Sequence, residues 1–279
     1  MRQSRPAAAA PSAILSRRMP TVISRDGTEL FVEVLGDGEP VVLLAHGLTG
    51  NRNELAIFAP FLPGTKVLMD FRGHGNSGRP PTGSYTFDHL AGDVDAVAEA
   101  YGASVVAGGS MGAAATLRLL EADPARFDKL IIVLPARLEV GDETYVRLSR
   151  MADLLEEHGP EKTADIMLEE EEAAGAFDQF PASKEYRRAA ILATNSDGVP
   201  RAIRGVIDDV ALRDPERIRQ VTAPTLIIAQ EGDSFHSTEV ARELEAAMPN
   251  SELVVLPDQH ALLREIPTLI TKVHQLLSA

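Results

Sequence analysis

From residue 21 onward, short runs of β-branched and other apolar residues alternate with longer stretches of helical spacing. This is the pattern of a mostly parallel sheet covered by helices on both faces. The runs predict strands at 21–25, 29–35, 41–46, 66–71, 104–108, 129–134, 225–230 and 252–257. Asp26-Gly27 joins the first two and is a hairpin signal, so the sheet should open with an antiparallel pair. The later runs are apolar throughout, as strands buried on both faces must be. Helical periodicity falls near 52–61, 87–101, 111–122, 238–248 and 261–278. Thr86 and Ser237 are placed to cap two of these helices, and Glu239 puts negative charge in the first turn after Ser237. Residues 138–220 break the alternation, being helical, charged and free of strand signals between Pro135 and Ala223-Pro224. They read as an inserted helical lobe. The core then comprises 20–137 and 221–279, and residues 1–19, rich in Arg, Ser, Pro and Ala, form a tail. Within the lobe, Glu169 to Glu172 read as a solvated helix face, since adjacent helical residues diverge and cannot converge on one cation.

The charge balance narrows the partners. A net charge of -14 disfavours phosphate backbones and anionic lipid, so neither nucleic acid nor membrane is expected. No run reaches the roughly 18 apolar residues of a membrane helix. Without cysteine there is no disulfide, thiolate metal site or cysteine nucleophile, which fits a reducing, cytoplasmic location. No metal-ligand spacing occurs, and no cofactor is expected. The partner to look for is a small-molecule substrate, bound by a monomer or homodimer.

Three loops that follow apolar strands carry the candidate chemistry. Gly108-Gly109-Ser110-Met111-Gly112 has the form G-x-S-x-G between a strand and an alanine-rich helix. A strand-to-helix turn of this kind lifts a serine hydroxyl into a cleft, and small residues on either side let the turn pack tightly. His46-Gly47-Leu48-Thr49-Gly50 follows strand 41–46 and should emerge at the same sheet edge. It would place the N–H groups of Leu48 and Met111 as an oxyanion hole, with His46 holding the loop. Asp233 and His260 end the last two strands, and the chain order serine, acid, histidine makes them orienting acid and general base. Asp258, two residues before His260, is a rival acid that would rarely reach back to the ring. The remaining histidines, His89, His158, His236 and His274, are scattered and receive no role. Gly73-His74-Gly75-Asn76-Ser77-Gly78 spells G-x-G-x-x-G, but Pro80-Pro81 forbid the helix on which a pyrophosphate would sit.

HGLTG at 46–50, DFRGHGNSG at 70–78, GGSMG at 108–112, APTLIIAQEGD at 223–233 and PDQHALLREIP at 257–267 together resemble the α/β-hydrolase superfamily. The core is similar throughout to small bacterial esterases, lactonases and meta-cleavage-product hydrolases. The resemblance implies an α/β fold with an eight-stranded sheet, a cap at about 138–220 and a triad of Ser110, Asp233 and His260. Gln259 and Ala261 depart from the small and bulky residues that commonly flank the base in these proteins. The expected activity is hydrolysis of an ester, lactone or thioester of a small to medium, largely apolar substrate through an acyl-serine intermediate. The alternatives are a lyase or cyclase, carbon–carbon bond hydrolysis, or a ligand-binding module on the same fold. Met151, Leu155, Phe177 and Phe180 are the apolar lobe residues expected to line the substrate pocket, with no cluster of basic residues beside them.

Overall fold

A computed structural model describes residues 20–136, 143–178 and 181–278. The expected tail at 1–19 and the expected pocket residue Phe180 lie outside the described residues.

Eight strands form one sheet: β1 (Thr21–Ile23), β2 (Glu29–Leu35), β3 (Val41–Ala45), β4 (Thr65–Met69), β5 (Val105–Gly109), β6 (Lys129–Val133), β7 (Thr225–Gln230) and β8 (Ser251–Leu256). Their order is β1-β2-β4-β3-β5-β6-β7-β8. β1 pairs antiparallel with β2, as the hairpin signal predicts; β2 also pairs antiparallel with β4, and every later pairing is parallel. All residues of β3, β5 and β7 are buried, because helices cover both faces. One face packs with α2 (Phe87–Tyr101) and α3 (Met111–Ala122), the other with α1 (Asn53–Ala56) and α9 (Ile266–Ser278). Ser237 caps α7 (Thr238–Ala247) by accepting from the Glu239 N–H at 3.2 Å.

Two predicted helices are interrupted. The 52–61 stretch divides into α1 and a separate turn of 3-10 helix at Ala59–Phe61, where Pro60 cannot donate to the preceding turn. The 261–278 stretch divides at Glu265, ahead of Pro267, into α8 (Ala261–Arg264) and α9.

Between β6 and β7 the described residues hold three α-helices, α4 (Glu143–Ala173), α5 (Ser183–Leu192) and α6 (Gly198–Ile207), a stretch of 3-10 helix at Pro215–Gln220, and no strand. α4 kinks where Gly159 adopts φ +73° ahead of Pro160. These helices bury a cluster of their own, centred on Met151, Leu155, Met167, Ile191 and Ile203, with Leu48 of the core packed against it. The acidic run diverges as its spacing requires. Glu170 meets Arg150, Glu171 meets Arg147 and Arg187, and Glu172 meets Lys184.

Candidate active site

Ser110 stands between β5 and α3 with φ +48° and ψ −109°, a conformation that L-residues avoid. Parallel pairing holds it there, since its N–H donates to Val133 O at 2.9 Å. The flanking glycines are required by close packing. A Cβ on Gly112 would meet Ala45 O at 2.2 Å, and one on Gly108 would meet Gly112 O at 2.6 Å.

The loop after β3 lies beside this turn, and a Cβ on Gly47 would come within 3.5 Å of Ser110 Cβ. His46 holds the loop as expected. Its Nδ1–H donates to Gly47 O at 2.7 Å, and its Nε2 accepts from Phe71 N at 3.0 Å. Complete burial keeps this ring well below its ordinary pKa and hence neutral, the form those two bonds need. His74 of the glycine-rich loop reaches Leu48 O at 2.6 Å and ties the two loops together. No helix follows that loop until Phe87.

Asp233 stands in the loop after β7; the ring that meets Ser110 is not that of His260 but of another histidine, His236. Asp233 Oδ1 accepts from the N–H groups of Phe235 and His236, closing a tight turn after β7. That turn brings the His236 ring back onto its own acid, with Nδ1 2.9 Å from Asp233 Oδ2. The opposite nitrogen, Nε2, lies 2.9 Å from Ser110 Oγ. With Nδ1–H donating to the carboxylate, Nε2 is left to accept the serine O–H. Gln230 Nε2 also donates to Asp233 Oδ2 at 2.8 Å, so both carboxylate oxygens are taken up within one loop and its strand. Burial alone would push Asp233 up, but the His236 hydrogen bond and charge, with the bonds from Gln230 and Phe235, hold it at about 2.

His260 therefore departs from expectation. It lines the same cavity from the loop after β8, at the N-cap of α8. The reason lies in Asp233, whose oxygens are filled from its own turn. An Asp-x-x-His spacing directly after a buried strand was the available signal, and chain order alone does not reveal it.

The serine opens into a cavity of about 990 Å³ beneath the lobe. Met151 lines it, as do Leu48 and Met111. Leu155 and Phe177 do not; Leu155 is buried inside the lobe and Phe177 packs against the same cluster. Helical spacing marked both as apolar but could not say which way each helix turns. The wall also carries three arginines, Arg147, Arg187 and Arg264, where no cluster of basic residues is expected from the sequence. Arg147 of α4 and Arg187 of α5 share the single carboxylate of Glu171, and Arg147 lies 4.4 Å above the Phe235 ring beside His236. Glu54 of α1 enters from the other side, its carboxyl oxygens 3.2 and 3.3 Å from the Gly47 N–H. Burial pushes this carboxyl above its usual range, partly offset by the Gly47 N–H and the His236 charge.

With this geometry, residues 40–263 match the alpha/beta hydrolase fold family. The chain belongs to the α/β-hydrolase fold family. Within it, the chain is 30% identical over 244 residues to the AB hydrolase superfamily protein YisY of Bacillus subtilis (strain 168), covering 81% of this chain and 85% of that protein. It is 27% identical over 261 residues to the 2-(acetamidomethylene)succinate hydrolase of Mesorhizobium japonicum (strain LMG 29417 / CECT 9101 / MAFF 303099), covering 87% and 88% of the two chains. Among solved structures, the enol-lactonase from Burkholderia xenovorans LB400 superposes with a TM-score of 0.76 at 22% identity, over 93% of this chain and 100% of that one. The α/β-hydrolase fold thus accounts for the whole core, and the coarse class, a hydrolase, follows from the family.

Proposed function

We propose that the protein is a serine hydrolase that cleaves an ester, lactone or thioester through an acyl-Ser110 intermediate, with His236 as general base and Asp233 as its orienting acid. The observation that carries this is the continuous chain Ser110 Oγ–His236 Nε2, His236 Nδ1–Asp233 Oδ2, each link 2.9 Å, beneath a strained serine. His236 takes the hydroxyl proton as Oγ attacks the carbonyl and returns it to the leaving group. Asp233 stabilises the imidazolium in between. The N–H groups of Leu48 and Met111 are the donors for the oxyanion, at the loop beside Ser110 and at the start of α3.

The substrate is a small to medium acyl compound, apolar near the reacting carbon, where Leu48, Met111, Met151 and Leu134 face the cavity. Arg147 and Arg187, two guanidinium groups on one carboxylate, favour negative charge on the side of the substrate that meets the lobe. The relative named for a succinate derivative agrees with such a substrate. The test is a fluorophosphonate probe followed by intact-protein mass and peptide mapping. One adduct on Ser110, lost in Ser110→Ala, is expected; labelling elsewhere, or none, contradicts the assignment.

A further inference from the structure

Beside the serine, two glycines leave their side-chain space to one acid and a third lies in contact with it. A Cβ on Gly50 would lie 1.8 Å from Glu54 Oε2, one on Gly47 3.1 Å from Oε1, and one on Gly109 3.7 Å from Oε1. Gly47 and Gly50 belong to the expected oxyanion loop and Gly109 immediately precedes Ser110. The Glu54 carboxyl therefore sits against both loops that shape the serine site. It accepts from the Gly47 N–H, whose immediate neighbour in the chain is the Leu48 N–H assigned above to the oxyanion. The carboxyl is thus bonded to the N–H one residue before the Leu48 N–H that the proposed oxyanion would meet.

We propose that Glu54 is a catalytic residue that works in its neutral form, its carboxyl O–H adding a third hydrogen bond to the oxyanion. This rests on the serine-hydrolase reading. As Ser110 Oγ bonds to the carbonyl carbon, its proton passes to His236 Nε2 and the carbonyl π pair moves onto oxygen. That oxygen is met by Leu48 N–H, Met111 N–H and Glu54 O–H. When the carbonyl reforms, the bond to the leaving group breaks and His236 returns the proton to it. An ionised Glu54 would instead face the oxyanion with like charge in a site of low dielectric, raising the barrier.

The surroundings support the neutral form. Burial drives the carboxyl above its ordinary range, against the pull of the Gly47 N–H and the His236 charge. Of the ionisable groups around it, His236 comes from the β7 loop and Tyr186 from α5, where burial first and then the charge of Glu54 raise the phenol. Arg147, Arg187, His260 and Arg264 line the same cavity, Arg187 held by Glu171 and Arg264 by Asp258. On the sheet side, Arg52 is engaged by Glu33 and Asp70. The sign follows. The neutral carboxyl exists below the raised folded value, so reactivity falls as pH rises through it. In the same window the folded state loses stability, because it binds this proton more tightly than the unfolded chain does.

The experiment is the second-order rate of Ser110 labelling by a fluorophosphonate from pH 5 to 10, for the wild type, Glu54→Gln and Glu54→Ala, with thermal melts at each pH. The wild-type rate is expected to fall as pH rises through the raised Glu54 value. Glu54→Gln, which keeps a neutral donor, should lose that fall while staying within about tenfold of the wild type at the low-pH end, and should melt higher than the wild type only above that value. Glu54→Ala should be slower by about 10- to 100-fold, as expected for loss of one oxyanion donor. If Glu54→Ala does not fold, the profile of Glu54→Gln decides alone. A fall with rising pH that persists in Glu54→Gln, or that the wild type lacks, overturns the role of Glu54 while Ser110 labelling leaves the hydrolase reading standing. No labelling of wild-type Ser110 overturns both.

Discussion

The loops after β7 and β8 each carry an aspartate followed closely by a histidine, and they use the pair in opposite ways. In Asp233-Ser234-Phe235-His236 the carboxylate is nearly buried, one oxygen closes the backbone turn and the other holds the ring against Ser110. In Asp258-Gln259-His260 one oxygen accepts from the His260 backbone N–H and the other from Arg264, and the carboxylate is 44% exposed. Three residues from acid to ring allow the imidazole to fold back over its own acid, whereas two residues spend that acid on the backbone. Residue types alone do not make a catalytic pair; spacing and burial do.

Breaking each pair in turn shows how far they differ. Asp233→Asn removes the charge that orients and stabilises the His236 imidazolium and should lower kcat/KM by roughly 10³- to 10⁴-fold. Asp258→Asn releases only an exposed ion pair with Arg264, and turnover within about twofold of the wild type is expected. Steady-state kinetics with one ester substrate checks both, and a large loss in Asp258→Asn would restore the β8 loop to the reaction. Smaller effects follow from the lobe. Replacing both Arg147 and Arg187 with Gln should reduce the preference for an acyl ester with a terminal carboxylate over its uncharged counterpart by about tenfold, the scale of one charge-assisted hydrogen bond. An unchanged ratio removes these arginines from recognition. Smallest in activity is Leu155→Ala, which should cost about 2–5 kcal/mol of stability in denaturant titrations with little change in chain-length preference. Met151→Ala, at the cavity wall, should alter that preference.

The same contrast explains what the sequence reveals. Strands such as Val41–Ala45 and Val105–Gly109 are short, apolar and bounded, so local pattern suffices to identify them. The serine turn is legible because strand, small residues and helix are contiguous there. The role of His236 is not legible because chain order points to the histidine after β8, and only folding shows that the β7 turn aims its ring at Ser110, 126 positions away. Arg147 and Arg187 meet through Glu171 across two helices, a convergence that helical spacing does not encode. Glu54 gave no chemical signal at all; its environment is made by glycines that look like ordinary loop residues until the acid fills their space.

The central claim is that His236, not His260, activates Ser110. Its most direct test is the rate of Ser110 acylation in a single turnover, measured by stopped flow with a chromogenic ester for His236→Ala and His260→Ala against the wild type. The account predicts a loss of about 10³-fold or more for His236→Ala, since the serine then has no base, and a change of less than about tenfold for His260→Ala. Near-normal acylation in His236→Ala, with the large loss in His260→Ala, would contradict it.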